Sequence, residues 1–284
     1  MKYLYFSLAF LTGIFLCSCE EDEPAGISAT GPLVIEGHID SEGYTEVVFT
    51  SSIVPEGNSG TLDNSMIRWG KVTVSDGIKT IVLTGGPQSD YMPPYLYYGY
   101  GLYGTPGRTY TLEAEYDGKK VNAQCTMPTP TPIDRLECVS SGTAGLYSVM
   151  IHFTAPDDCP AYYHISTMLI GEEGHYYPSV LGTVCAETPG THIEVPAYRG
   201  KHFGNSQSFT PLWREGDMVG VCLSRVSKEV YEFWSAYNNE VLFGGSQFVG
   251  VSESLPGNIV NGYGVWSARG VSHSAIEINR SQSL

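Results

Sequence analysis

Strict alternation of apolar and polar residues on either side of Asp117-Gly118 is the feature that most constrains the fold. Apolar side chains occupy the even positions of residues 112–116 and the odd positions of residues 121–125. A period of two places one face of a strand against a core and the other in water. Asp-Gly favours a type I′ turn, because both central positions of that turn need a positive φ. The pattern predicts a half-buried β-hairpin.

Further short runs predict a sheet protein around this hairpin. Strands are expected at Leu33–Ile39, Glu46–Thr50, Ile67–Ser75 and Ile78–Thr84, the last two joined by a second type I′ turn at Asp76-Gly77. Several alternating strands within about 100 residues are typical of an immunoglobulin-like β-sandwich. We assign this sandwich to residues 31–127.

A proline-rich joint at residues 128–132 is predicted to end the first domain, because alternate prolines cannot donate to a sheet ladder. The second domain, residues 133–284, is expected to be β-rich, with strands near 147–153, 162–170, 219–226 and 262–278. Residues 228–242 carry the helical apolar stripe, and Ser227 can cap their start. The predicted fold class is therefore mostly β, a sandwich followed by a β-rich domain with one amphipathic helix.

The first residues have the pattern of a secretory signal. Lys2 precedes an apolar run over residues 3–16, which is too short for the ~20 residues that span a bilayer as a helix. Leu16-Cys17-Ser18-Cys19 resembles a bacterial lipobox, which implies a signal peptide over residues 1–18 and lipidation of Cys19. Several acyl chains hold a protein durably at a membrane.

An acidic run follows the predicted lipid cysteine, and residues 19–30 read as a flexible tether. The run resembles the export signal of Bacteroidetes surface lipoproteins. We therefore expect outer-membrane localisation facing the cell exterior, with the periplasmic leaflet as the alternative. The proposed export residues are Glu20, Glu21, Asp22 and Glu23.

The overall charge excludes some partners. Lys and Arg number 15 against 30 Asp and Glu, giving a net charge of −15. A nucleic-acid binder needs a basic face that replaces phosphate counterions, so no nucleic-acid partner is expected. The only predicted membrane partner is outer-membrane lipid, contacted through Cys19.

Several segments, in order along the chain, resemble the Bacteroidetes lipoprotein family catalogued as DUF4249. They are residues 34–37, 71–77, 94–97, 107–112, 128–134 and 258–266. The resemblance implies an outer-membrane lipoprotein, of a kind often encoded beside TonB-dependent receptors. It supplies no catalytic residues.

A cluster of tyrosines within thirteen residues is the candidate contact surface. Tyrosine rings bury area at low entropy cost and still form hydrogen bonds, so they suit a ligand or partner surface. Packing in the sandwich core or over a loop is the alternative. The cluster comprises Tyr91, Tyr95, Tyr97, Tyr98, Tyr100 and Tyr103.

No motif predicts catalysis, a metal or a cofactor. Residues 99–104 satisfy G-x-G-x-x-G, but no helix follows to receive a pyrophosphate. His175, His192 and His202 lie in a glycine-rich region without metal-ligand spacing. Five cysteines remain beside Cys17 and Cys19, and both disulfides and free thiols stay open.

The leading hypothesis is a non-enzymatic, lipid-anchored surface protein that captures an unknown ligand or assists a TonB-dependent receptor. The first alternative is an adhesin-like or structural envelope module. The second is a hydrolase whose site the sequence does not reveal.

Overall fold

The computed structural model describes residues 31–52, 65–200, 209–243 and 255–279. The predicted signal peptide, Cys19 and the acidic run lie outside them. No helix in these ranges is long and apolar enough to cross a membrane. The strands, in chain order, are β1 (Leu33–Asp40), β2 (Thr45–Ser51), β3 (Lys71–Ser75), β4 (Thr80–Val82), β5 (Thr84–Pro87), β6 (Tyr95–Gly99), β7 (Thr109–Tyr116), β8 (Lys119–Thr126), β9 (Arg135–Ser140), β10 (Leu146–Thr154), β11 (Ala161–Leu169), β12 (Tyr177–Ala186), β13 (His192–Ala197), β14 (Trp213–Arg214), β15 (Met218–Val226) and β16 (Tyr263–Glu277). The helix α1 spans Lys228–Phe243.

One eight-stranded sheet runs through the described part of the molecule, in the order β12-β11-β15-β16-β1-β2-β6-β5. Its neighbours are antiparallel except β1 and β16, which pair in parallel from Val34 opposite Tyr263 to Asp40 opposite Arg269. The other edge of β16 pairs with β15, up to Glu277 opposite Met218. The last described strand thereby connects the two halves of the sheet.

Two smaller sheets cover the apolar face of this long sheet. The sheet β4-β3-β7-β8 packs over β1 and β2 in one hydrophobic cluster, with Trp266 fully buried in it. The sheet β13-β10-β14, with β9 beside β10, packs over β11 and β15 in a second cluster around Phe153 and Trp213. The predicted fold class, a sandwich and a second β-rich unit with one helix, is confirmed.

Strand β16 crosses the predicted division between the two domains. Strand β16 falls within the range 133–284 assigned to the second domain, yet its first half pairs with β1 and its Trp266 fills the first core. The proline-rich joint packs on the second sandwich, where Thr131 shares a hydrogen bond with Tyr163.

The hairpin at Asp117-Gly118 forms as predicted, with φ of 50° and 71° at the two turn residues. The predicted type I′ turn at Asp76-Gly77 is wrong. Ser75 pairs with Thr80, so four residues form the loop. The Asp76 carboxylate accepts hydrogen bonds from the backbone N–H groups of residues 78 and 79, at 2.9 and 2.7 Å, which stabilises the longer turn.

Two predicted strands are shorter than expected. Residues 67–70 lie outside β3, because the Tyr97 hydroxyl donates to the Ile67 carbonyl and accepts from the Gly70 N–H, which satisfies groups that a ladder would use. The predicted strand 78–84 breaks at Leu83. There the chain leaves β4 in the small sheet and enters β5 in the long sheet.

Helix α1 agrees with its predicted range to within one residue, and Ser227 accepts a 3.5 Å bond from the Val230 N–H at its start. Its buried face includes Val230, Phe233 and Trp234. The helix lies against β11, β12 and β16.

Candidate functional site

A cleft of about 460 Å³ lies on the polar face of the long sheet. Its floor comes from β1, β2, β11 and β16. Helix α1 forms one wall, and two loops, residues 88–94 and 170–176, form the rim. Such a volume lies within the ~300–1,000 Å³ of small-molecule sites.

Alternation along β1 creates the polar floor. Ile35 and Ile39 point into the first core, so Glu36 and His38 emerge on the opposite face. In the antiparallel register His38 lies opposite Glu46 of β2, and their side chains approach to 4.0 Å. In the parallel register Ser267 of β16 lies on the other side of His38.

Two glutamates lie on the floor of this cleft. Glu36 keeps solvent-accessible surface inside the cleft but is enclosed by the walls, and this burial raises its pKa, while Arg269 opposes the rise. Burial also raises the pKa of Glu46, although the Tyr91 hydroxyl donates a 2.6 Å hydrogen bond to its carboxylate. Neither carboxylate forms a close ion pair among the described residues.

Two histidines on the floor are held neutral. Burial and the nearby Arg269 lower the pKa of His38 well below its usual value. The same two causes lower the pKa of His164 to about 3. The His164 ring stacks on Trp234 of α1, with 4.4 Å between ring centroids. Neutral imidazoles can each offer one donor and one acceptor to a ligand.

Three buried polar atoms of the cleft residues have no hydrogen-bond partner among the described residues: His164 Nε2, Ser267 Oγ and Arg269 Nε. His164 and Ser267 are each only 3% exposed. Buried polar groups are nearly always paired, and an unpaired one costs about 1–3 kcal/mol. All three atoms belong to residues that line this cavity, which makes the cavity the candidate site.

Aromatic rings connect the two rim loops. Tyr91 stacks on His175 with ring centroids 4.1 Å apart, and His175 contacts Tyr177 at 4.0 Å. The Tyr177 hydroxyl donates a 3.0 Å bond to the Asp90 carbonyl of the opposite loop. These contacts hold the rim together over the polar floor.

The structure divides the predicted tyrosine surface among four environments. Tyr91 lies in the cleft, whereas Tyr97 is 2% exposed in the first core and Tyr95 packs against that core. Tyr98 is half-buried on β6. Tyr100 and Tyr103 are 64% and 75% exposed.

Most of the cleft floor was missed by the sequence analysis. These residues come from four strands, of which only β1 and β2 are neighbours in the chain. They are Glu36, His38, Glu46, His164 and Arg269. The alternation of Glu36 and His38 with isoleucines was a signal of a polar face. The sequence gives no sign of the strand pairings that bring Glu46, His164 and Arg269 beside them.

The histidine-bearing region does not form one site among the described residues. His175 lies in the cleft, His192 lies on β13 in a different sheet, and His202 is outside the described residues. The described cysteines are free thiols: Cys125, Cys138, Cys159, Cys185 and Cys222.

Comparison with known proteins gives a family but no activity. A family model described as "Domain of unknown function (DUF4249)" matches residues 20–274. No curated protein matches the chain. A cytokine receptor complex structure has a TM-score of 0.25 at 8% identity, covering 86% of this chain and 95% of that one. The chicken CNTN1 FN1-FN3 domains have a TM-score of 0.21 at 8% identity, covering 69% and 60%. Likenesses this weak carry no argument about function.

Proposed function

This chain belongs to the DUF4249 family, and from that premise and from its cleft we propose that it is a non-enzymatic ligand-capture protein of the outer membrane. The observation that carries the proposal is the accessible cleft with three unpartnered polar atoms on its residues. These atoms are buried, so a ligand would pair with them after small side-chain shifts, and it would then supply hydrogen bonds that the described residues do not.

The charges of the cleft restrict the ligand class. Five acidic residues line it, and Arg269 is its one Lys or Arg among the described residues. The acidic residues are Glu36, Glu46, Asp90, Glu172 and Glu173. Arg269 also faces Asp40, at 3.9 Å. The acidic excess disfavours anions, and the neutral histidines and Ser267 suit hydroxyl and amine groups. We propose a compact, hydroxyl-rich or amine-bearing ligand that is neutral or cationic.

A binding screen tests this proposal. Thermal-shift assays against neutral sugars, amino sugars, polyamines and small anions should give hits only among the first three classes. Calorimetry with a hit should show a loss of at least about tenfold in affinity for Glu36→Gln, because the charged acceptor is removed. Glu113→Gln, an exposed glutamate on β7, is the matched control and should bind normally.

An anion as the strongest ligand, or equal binding by Glu36→Gln and the control, would contradict the proposed ligand class. The absence of any hit in all four classes would contradict capture of a compact ligand in this cleft.

Delivery to a TonB-dependent receptor is the second part of the proposal. Lipidation of Cys19 would confine the protein to the membrane plane, where effective concentrations near a receptor reach ~mM. Tyr100 and Tyr103 are exposed, and Tyr100 packs edge-on against Tyr44 at 5.6 Å, which gives an aromatic surface for the receptor contact.

Co-purification from the native host in mild detergent tests this part. The wild-type protein should recover a TonB-dependent receptor, and the double variant Tyr100→Ser, Tyr103→Ser should recover much less. Failure to recover a receptor with the wild-type protein, or recovery of envelope proteins alone, would favour the adhesin-like alternative.

A hydrolase is the second candidate, because two enclosed carboxyl groups share one cavity. Glycoside hydrolysis uses one protonated and one ionised carboxyl group, whose pKa values are pushed apart. Here burial raises the pKa of both Glu36 and Glu46. Because both pKa values shift in the same direction, the pair favours ligand binding over acid–base catalysis. Turnover of chromogenic glycosides by the wild-type protein, lost in Glu46→Gln, would establish the hydrolase instead.

A further inference from the structure

Two histidines and a glutamate converge on the outer face of the sheet β13-β10-β14. His152 of β10 lies directly opposite Glu194 of β13. His192 lies two residues before Glu194 on the same strand and therefore on the same face. His152 Nδ1 is 3.2 Å from His192 Nε2, and Glu194 Oε1 is 3.4 Å from each nitrogen.

These distances match one face of a metal coordination tetrahedron. A tetrahedral site with Zn–N bonds of ~2.0–2.1 Å has ligand atoms ~3.3–3.4 Å apart. The two imidazole nitrogens and the carboxylate oxygen form a triangle with sides of 3.2, 3.4 and 3.4 Å. The ligand atoms already stand at the separations that zinc requires.

A fourth residue orients the central histidine. His152 Nε2 lies 3.0 Å from Glu137 Oε2, a distance at which the ring N–H donates to the carboxylate. That bond leaves the Nδ1 lone pair directed towards His192 and Glu194. Arg135 also contacts the Glu137 carboxylate and holds it beside His152. A carboxylate behind a ligating histidine is the usual outer-shell partner of a metal site.

The exposure of the three side chains suits a metal site that is open to solvent on one side. The His152 side chain is 3% exposed, whereas those of His192 and Glu194 are 51% and 56% exposed. A metal can therefore reach the triangle from solvent, and water can occupy the fourth position. Ile151 and Phe153 point from β10 into the second core, so the triangle and the cleft lie on opposite sides of this sandwich.

We propose that His152, His192 and Glu194 bind Zn²⁺, with Glu137 as a positioning residue. Two imidazoles and one carboxylate favour zinc over the hard cations that prefer all-oxygen sites. The metal would join the end strand β13 to the central strand β10. No metal site is predicted from the sequence, because His152 and the His192-Ile193-Glu194 segment are 40 residues apart and only the strand register brings them together.

Titration of the purified, untagged protein with Zn²⁺ alone tests the proposal. Calorimetry should give one saturable site per chain, and zinc should raise the melting temperature. His192→Asn and Glu194→Gln should each weaken binding by at least tenfold, and Glu137→Gln by about 10–100-fold as an outer-shell loss. Glu187→Gln is a matched control away from the triangle and should bind normally.

The absorption spectrum of the protein with Co²⁺ in place of zinc distinguishes this site from a site at the cysteine thiols. Visible absorption bands of a tetrahedral Co²⁺ complex, without a thiolate charge-transfer band, would support the histidine–glutamate site. A thiolate charge-transfer band would instead assign the metal to a cysteine. His192 and Glu194 are exposed, so their variants should keep the circular dichroism and melting temperature of the metal-free protein. The proposal would be overturned if the wild-type protein showed no saturable zinc binding. It would also be overturned if the His192, Glu194 and Glu137 variants all bound zinc as tightly as the wild type.

Discussion

At the residue scale, enclosure rather than pairing sets the protonation of the cleft floor. Burial is the largest cause of the shifted pKa values of Glu36, Glu46, His38 and His164. Since burial disfavours the charged form, the glutamates are easier to protonate and the histidines harder. Enclosure thus disfavours charge on the floor itself, which suits a neutral ligand.

His164 predicts a specific loss of stability in acid. Its pKa is about 3 in the folded protein and near 6.5 when unfolded, so between these values the unfolded chain binds more protons. Stability from this group is complete above about pH 6.5 and falls as the pH drops towards 3, by an amount on the order of 3–5 kcal/mol. Urea unfolding at pH 7 and pH 4.5 should show a smaller acid loss for His164→Phe than for the wild type.

The comparison with His164→Phe is needed because the glutamates act in the opposite direction. Their raised pKa values make the folded protein bind protons more tightly, so they favour folding as the pH falls. An identical acid loss in wild type and His164→Phe would show that His164 is not the neutral, enclosed group described here.

Gly37 predicts a second residue-scale effect. A Cβ at this position would lie 2.8 Å from Val47 Cγ2 and 3.3 Å from Trp266 Cε3. Gly37→Ala should therefore destabilise the protein by about 1–3 kcal/mol through overpacking, despite the better strand propensity of alanine. Gly86→Ala is the control, because its Cβ meets Tyr98 at an ordinary 3.5 Å. Equal unfolding midpoints for the two variants would refute the tight packing.

Sequence reasoning at this scale could identify the polar face of β1 but not its partners. Val265 and Arg269 join Glu36 and Asp40 through a parallel pairing between residues 229 positions apart. Such a register depends on packing of the whole molecule, so no local pattern reports it.

At the scale of elements, prediction succeeds where one side of an element is uniformly apolar. Both the hairpin at Asp117-Gly118 and helix α1 have this property. It fails at residues 67–70, where the Tyr97 hydroxyl rather than a neighbouring strand pairs with the Ile67 carbonyl and the Gly70 N–H. Long-range side-chain bonds of this kind have no periodic signal.

Helix α1 is expected to support both the core and the cleft through Trp234, which is 8% exposed and stacked on His164. Trp234→Ala should cost about 3–5 kcal/mol in free energy of unfolding and should weaken ligand binding, because it removes part of the cleft wall. Tyr103→Ala, at an exposed position, should change stability by less than about 0.5 kcal/mol. Chemical denaturation of both variants measures the difference, and equal stabilities would show that α1 does not pack as described.

At the scale of the whole molecule, the shared sheet distinguishes this fold from two sandwiches joined by a linker. Strand β16 pairs with β1 in the first sandwich and with β15 in the second. The sequence places a domain boundary at the proline-rich joint because alternate prolines cannot donate to a sheet ladder. It does not reveal that the last described strand returns to the first.

This continuity predicts cooperative unfolding of the two sandwiches. Loss of β16 from either sandwich exposes apolar residues of both, so partial unfolding is costly. Hydrogen exchange should be measured by mass spectrometry at increasing denaturant concentrations. Strands β7 and β8 of the first sandwich and strands β10 and β13 of the second should lose protection at the same denaturant concentration. Two transitions separated along the denaturant axis would show instead that the sandwiches are independent.

The most direct test of the central claim is a crystal structure of the protein with the ligand identified by the binding screen. We predict ligand density in the cleft, with hydrogen bonds to His164 Nε2, Ser267 Oγ and Arg269 Nε. Density for the ligand elsewhere on the surface, with only ordered water beside these three atoms, would contradict the account.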